Sequence, residues 1–133
     1  MRIQRFLRKV YMRKILILFT AGTIAMAMGC GKKYRASCDD SARSLKILHE
    51  KSVRVVCGTY CSLTTGSVWG SGPYTTDSSV CRAALHAGVM HDVTGGIVTV
   101  TMKPGQSKYE GSDRNGIRSL AWGQFDSSFE VTK

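Results

Sequence analysis

The chain predicts a single α+β domain stapled by disulfides, and three observations carry that prediction. Cys81, Ala84, Leu85 and Gly88 recur at three- and four-residue intervals, which makes one buried stripe on a helix. Val98, Val100 and Met102 alternate with Thr99 and Thr101, the period of two expected of a half-buried strand. Four cysteines, Cys38, Cys57, Cys61 and Cys81, fall in a folded part of under about 100 residues, a size that buries too little surface to be generously stable unaided.

The elements follow in order along the chain. A basic stretch to Lys14 precedes an apolar run from Ile15 to Gly29 that ends in small residues. A positive region, a short apolar core and a small-residue cleavage site are the parts of an export signal, placed here at residues 1–29. A transmembrane helix wants roughly 18 to 20 apolar residues, and this run is shorter and carries Thr20, Gly22 and Thr23. Met12-Arg13-Lys14-Ile15-Leu16 opens a tidier version of the same signal, an alternative start. Ala27-Met28-Gly29-Cys30 resembles a bacterial lipobox, with Ala27 where such signals usually carry Leu. Cys30 would then become the lipidated first residue, with acyl chains enough for lasting anchorage; the other reading is a plain signal with Cys30 lost or left as a spare thiol. Residues 30–36 form a short basic tether, and the folded domain runs over 37–133.

The net charge of +10 shrinks once it is located. Six of the 19 basic residues lie in the first fourteen positions, and all nine acidic residues lie at Asp39 or later. Removal of the signal leaves 13 basic residues against nine acidic ones, a net charge of +4. That is a weak electrostatic case for nucleic acid, and no nucleic-acid partner is expected. With Cys30 assigned to lipid, the odd cysteine is accounted for and four remain, an even set suited to an oxidising compartment. Four cysteines allow three pairings. A zinc pair at Cys57-x3-Cys61 is the competing use, but no second close pair follows.

Within the domain, Asp39 to Lys51 reads as a short helix or an extended lead-in, with Leu45 and Leu48 on one helical face. Val53 to Val56 is β-branched and ends at Cys57. A loop-rich section follows, with Gly66, Gly70, Gly72 and Pro73 around Val68-Trp69. The helix begins after Thr76, capped by Asp77 or Ser78 through a side-chain oxygen on the free amides, and Gly88 terminates it. Gly95-Gly96 opens the strand Ile97 to Met102, and Pro104-Gly105 ends it. Asn115-Gly116 is a strong turn dipeptide. Leu120 to Trp122 and Phe129 to Val131 are expected as closing strands, so that one helix is set among several short antiparallel strands.

The stretch Tyr74-Thr75-Thr76-Asp77-Ser78-Ser79-Val80-Cys81-Arg82-Ala83-Ala84-Leu85-His86-Ala87-Gly88-Val89 resembles the signature of the LCCL domain family, a Tyr followed by Ser-Ser-x-Cys-x-Ala-Ala-x-His-x-Gly-aliphatic. The likeness continues through Gly95 to Val100, Pro104-Gly105-Gln106, Tyr109-x-Gly-Ser112, Arg114-Asn115-Gly116-Ile117 and Phe129-x-Val131. Upstream, Cys57-x3-Cys61 and Ser67-Val68-Trp69-Gly70 fit the same pattern, so that it covers roughly Cys38 to Lys133. The resemblance implies a central helix wrapped by strands, the disulfides Cys38–Cys57 and Cys61–Cys81, and a place for His86 and Gly88 in the fold signature. It also implies extracellular recognition of polysaccharide-like or lipopolysaccharide-like ligands.

Candidate chemistry is sparse. His86 on the helix beside Cys81 and Leu85 could serve as a base or a metal ligand, but it reads better as a buried, hydrogen-bonded histidine. His49 and His91 fall in loops, and neither an H-x3-H nor an H-E-x-x-H spacing exists. Ser78-Ser79 near His86 are helix-start residues, and no G-x-S-x-G elbow is present. No enzyme activity, cofactor or metal is expected. Binding is the better prospect. Lys103, Lys108, Arg114 and Arg118 surround the 104–115 segment with Tyr109 interleaved, and they could meet carboxylate, phosphate or acidic sugar groups. Trp69, Tyr74 and Trp122 could supply stacking faces for a glycan. The expected protein is a lipid-anchored envelope binding module whose partner is a glycan, another envelope component or a protein. The alternative is a structural or interaction lipoprotein without a small ligand, and loss of the anchor would leave a secreted one.

Overall fold

The computed structural model describes residues 31–133; the segment read as an export signal, and Cys30, lie outside the described residues. The elements are β1 (Lys33–Ala36), β2 (Ser52–Cys57), a 3-10 turn (Cys61–Leu63), β3 (Tyr74–Thr75), α1 (Val80–His86), β4 (Gly96–Gln106), β5 (Asp113–Arg114), β6 (Ile117–Arg118) and β7 (Phe125–Thr132). The five-stranded sheet has the order β1-β2-β4-β7-β3, and β5-β6 form a separate hairpin. The strands were expected to be short and antiparallel; β1 instead runs parallel to β2, and the other strand pairings among the described residues are antiparallel. The class is therefore α+β in a strand-heavy form, with one short helix among the described residues.

The alternation expected for Ile97 to Met102 is present: Val98 and Val100 are buried, while Thr99 and Thr101 are half-buried on the other face. In register beside them, β2 buries Val53, Val55 and Cys57, and β7 buries Phe129 and Val131. These side chains join Val80, Cys81, Ala84 and Leu85 of α1 in one core cluster. The stripe at three- and four-residue spacing thus faces the sheet. Gly88 ends the helix with φ 74, the left-handed conformation that glycine adopts without a Cβ penalty. Four of the residues read as tether, Lys33–Ala36, form the edge strand β1.

Several expectations are corrected. The disulfides are Cys38–Cys61 and Cys57–Cys81, not Cys38–Cys57 and Cys61–Cys81. Cys57 ends β2 on its buried face, and Cys81 sits in the first turn of the helical stripe, so the two meet across the core with their Cα atoms 5.6 Å apart. Cys61, in the 3-10 turn, is left to meet Cys38. The helix cap is Ser79, whose hydroxyl accepts from the Arg82 amide. Ser78 instead accepts from the Trp69 amide, and Asp77 pairs with Arg43.

β4 does not stop at Pro104-Gly105 but runs on to Gln106. β2 begins opposite Thr101, so among the described residues Pro104 has only β7 as a neighbour and its missing N–H interrupts no second ladder. Gly105 passes so close to β7 that a Cβ would lie 2.1 Å from the Phe125 carbonyl oxygen. Leu120 to Trp122 form no strand; the segment makes isolated bridges, Leu120 to Trp69 and Trp122 to Tyr109, one to each side. Asp39 to Lys51 is a series of turns with Lys46 at φ 57, and it buries Ala42 and Ile47 where the helical reading had Leu45 and Leu48.

Candidate binding cleft

Tyr74 and Tyr109, expected as ligand contacts, are both buried. The Tyr109 hydroxyl accepts from the Gln106 amide and props the end of β4. Tyr74 packs on Phe129 and edge-on to His86, and burial pushes its hydroxyl up to about 12. The four basic residues do not converge as free cations. Lys103 lies 3.6 Å from Glu130, Lys108 3.0 Å from Glu110, and Arg118 3.0 Å from Asp113. Arg118 also holds the Asp113 carboxyl below its ordinary range. Arg114 donates to the Ser71 carbonyl at 3.1 Å and lines a depression with Ser71, Gly72, Tyr74 and Glu130.

His86 is fully buried. Its Nε2 lies 3.2 Å from the Ser112 carbonyl, which can only accept, so Nε2 carries the proton. Nδ1 then accepts from the Tyr74 hydroxyl at 2.9 Å. Burial holds the imidazole below its ordinary value, partly opposed by the Ser112 carbonyl. Asn115, at the tip of the β5-β6 hairpin, donates to the His86 carbonyl at 2.9 Å and closes the helix end. The histidine thus ties α1, β3 and the 112–115 segment together, with both ring nitrogens engaged. Ser78 and Ser79 are likewise spent on structure: Ser79 caps α1 and donates to the Cys38 carbonyl. Cys57 and Cys61 are each in a disulfide, which removes the zinc reading of their spacing.

The aromatic side chains do assemble. The two isolated bridges that hold residues 120–122 set Trp122 against Trp69, with ring centroids 6.1 Å apart and planes at 61°. Phe125, at the start of β7, adds a third ring, which sequence reasoning missed. Together with Thr75 and Asp77 these rings line a solvent-open cleft of about 150 Å³. Trp122 is 51% exposed, whereas Trp69 and Phe125 are half-buried supports. Arg43, a residue with no marking in the sequence, borders this group. Its Nε donates to Asp77 at 2.8 Å, its Nη2 lies 3.5 Å from Asp126, and its guanidinium sits 5.7 Å over the Phe125 ring. An exposed aromatic wall beside fixed donors and acceptors is a binding arrangement, with the apolar majority and few placed polar groups typical of ligand clefts.

Comparison with known proteins agrees with the resemblance found in the sequence. The model of the LCCL domain family matches residues 30–129. The chain is 41% identical over 92 residues to clotting factor C of Tachypleus tridentatus, covering 68% of this chain and 9% of that protein. It is 42% identical over 91 residues to human cochlin, 68% of this chain and 16% of cochlin. With mouse vitrin it shares 39% over 97 residues, 73% of this chain and 14% of vitrin. The chain therefore corresponds to a small part of each of these relatives.

Proposed function

Because the chain belongs to the LCCL domain family, we propose that it is an extracytoplasmic binding module, held at a membrane by lipid on Cys30 and recognising a glycan or another component of the cell envelope. The cleft of Trp69, Trp122 and Phe125 carries the proposal. A half-exposed tryptophan supported by two further rings is a large apolar surface left in water, which a ligand would cover. Two disulfides support the exported location, since such bonds persist in oxidising compartments. Lys103, Lys108, Arg114 and Arg118 are peripheral contacts in this reading, with Arg114 foremost because it faces no carboxylate within ion-pair distance among the described residues.

A second reading puts a protein partner in place of the glycan. Tyr60, Leu63 and Val93 are exposed apolar side chains on two loops joined by the Tyr60 amide donating to the Asp92 carbonyl at 2.7 Å. Binding of the full protein to envelope fragments, with Trp122→Ala compared with the pair Lys108→Gln and Arg114→Gln, separates the possibilities. Loss with Trp122→Ala supports the cleft, and loss confined to the basic pair moves the site to the 104–118 segment. Loss in neither, with Leu63→Ser abolishing capture, supports the protein-partner reading. For the anchor, the protein recovered from membranes is expected to begin at Cys30 with added acyl mass. Cys30→Ala is expected to move it to the soluble fraction, and an unchanged distribution would remove the anchor from the proposal.

A further inference from the structure

The chain contains two tryptophans, and both are in the cleft. Their planes meet at 61°, so they form a corner rather than a stack. The cleft, about 150 Å³ and open to solvent, has room for about one small ring against its walls. The polar residues of the lining are Thr75 and Asp77, and the Arg43 guanidinium is bonded to Asp77. The ligand chemistry has to satisfy both the corner and those polar groups.

Three ligand classes can be weighed against these contacts. A cation, such as a quaternary ammonium group, is the usual guest of aromatic walls. Here, however, the Arg43 guanidinium is already over Phe125 and is bonded to Asp77, so an incoming cation would meet a positive charge on its ring and a neutralised carboxylate. An anion would meet Asp77 and Asp126 flanking the single guanidinium. A wholly apolar guest would strip water from Arg43 and Asp77 without replacing its hydrogen bonds. An uncharged pyranose meets none of these objections. Its C–H face is apolar and carries the partial positive charge that an aromatic face attracts, and its hydroxyls both donate and accept.

We propose that the Trp69–Trp122–Phe125 cleft binds one uncharged sugar ring, its C–H face on Trp122 and its hydroxyls at the Arg43–Asp77 pair. The proposal rests on the binding-module reading above and assigns that module's ligand class and contacts. Trp122 supplies the stacking face because it is the most exposed ring. Trp69 and Phe125 hold it in place, and Asp77 accepts while Arg43 donates. A single ring has few atoms with which to bind, so affinity is expected on the order of millimolar for a monosaccharide.

The test uses the intrinsic fluorescence of the full protein in detergent, since its two tryptophans report from the cleft alone. The probes are the methyl glycosides of glucose, galactose and N-acetylglucosamine, with glucuronate and choline as charged controls. The expected result is a saturable emission shift with at least one neutral glycoside, larger than with either control. Trp122→Ala should weaken that affinity roughly tenfold or more and Trp122→Tyr should restore part of it, while Asp77→Asn should weaken it several-fold. Each variant is checked for an unchanged urea midpoint, and Trp69 still reports when Trp122 is gone. The assignment is overturned by no shift with any neutral glycoside up to ~100 mM, a concentration well above the expected affinity, by tighter binding of choline or glucuronate, or by unchanged affinity in Trp122→Ala. Capture on envelope fragments separates the two levels. Capture that persists in Trp122→Ala overturns the sugar assignment and leaves the binding module standing, whereas no capture of the unaltered protein overturns both.

Discussion

Digestion of the oxidised protein should place the disulfides without ambiguity, because the sequence around Tyr60 allows the two neighbouring cysteines to be separated. No Lys or Arg lies between Cys57 and Cys61, so trypsin alone leaves both in one peptide. Tyr60 is exposed, and chymotryptic cleavage after it splits them. With free thiols blocked, combined digestion should give the peptide 55–60 joined to 75–82, and 36–43 joined to the fragment that begins at Cys61. Peptide 36–43 joined to 55–60 would refute the structural pairing. The energies follow from the same geometry. The bridges close sequence separations of 23 and 24, so each removes similar entropy from the unfolded chain, about 3.5 kcal/mol. They differ in the native state at one position: Cys57, Cys81 and Cys61 are all buried in the core, whereas Cys38 is only half-buried. Replacing Cys57 and Cys81 by Ala should therefore cost more than replacing Cys38 and Cys61, by about 1 kcal/mol at most, the difference being the larger cavity left in the core. Urea unfolding measures both. A larger loss for the Cys38–Cys61 pair would contradict the core placement of Cys57–Cys81.

Three further outcomes follow from individual contacts. Ser79→Ala removes the acceptor for the Arg82 amide and should lower stability by about 1 kcal/mol, or about 4–8 °C in Tm; Ser78→Ala strands the Trp69 amide and should also destabilise, but hydrogen exchange at the Arg82 amide should speed up relative to global unfolding only in Ser79→Ala. Gly105→Ala drives a Cβ against the Phe125 carbonyl and should cost roughly 3 kcal/mol or more in urea unfolding, whereas Gly123→Ala meets nothing within 4 Å and should be nearly neutral. His86 is held neutral in the fold by burial, so the unfolded chain takes up its proton more readily. That contribution to stability is complete above the unfolded value of about 6.5 and is lost as the pH falls from there toward the lower folded value. The carboxylates held low, Asp40, Glu50, Asp92 and Asp113, add their own loss only below their ordinary values. A urea midpoint that stays flat or rises between pH 7 and 5 would contradict the buried His86–Tyr74 pair.

The parts of the fold legible in the sequence are those specified by neighbours in the chain. The stripe through Cys81 and Leu85 and the alternation through Val98 and Val100 are local patterns, and both occur where they were read. Asn115-Gly116 likewise closes β5-β6, with φ 51 and 76. The errors lie where two local options were equal and a distant residue chose between them. Ser78 and Ser79 are both competent caps, but Ser78 is taken by the Trp69 amide. The expected and the observed disulfide pairings close loops so alike in length that chain entropy separates them by only about 0.2 kcal/mol per bridge. Packing decides, through the side of β2 on which Cys57 falls. Pro104 reads as a strand end only if the strand has two neighbours, and the start of β2 at Ser52, opposite Thr101, was not visible locally.

The candidate site shows the same division, but here one signal was present and passed over. Lys103, Lys108, Arg114 and Arg118 looked like a cluster because they are close in sequence. Once Asn115-Gly116 is accepted as a two-residue turn, the register that puts Arg114 opposite Ile117 also puts Asp113 opposite Arg118, so the acid and base face each other across the hairpin. Lys108 and Glu110 sit two apart, on one side of an extended segment, and they also meet. The Arg118–Asp113 pair could therefore have been read from the turn dipeptide, whereas the Lys103–Glu130 pair depends on the packing of β4 on β7. The cleft offered no such route. Arg43 and Asp77 are 34 residues apart and Arg43 and Asp126 are 83 apart, and Trp69 and Trp122 meet only because a non-strand segment is held between two bridges. Long-range packing of that kind leaves no periodicity. The tryptophans could be singled out as stacking faces by residue type, but Phe125 and Arg43 became part of the site only with the fold. A sugar ring held at this corner would be read mainly by Trp122 and the Arg43–Asp77 pair, so specificity would reside in residues on three separate segments that the disulfide-stapled core brings to one place.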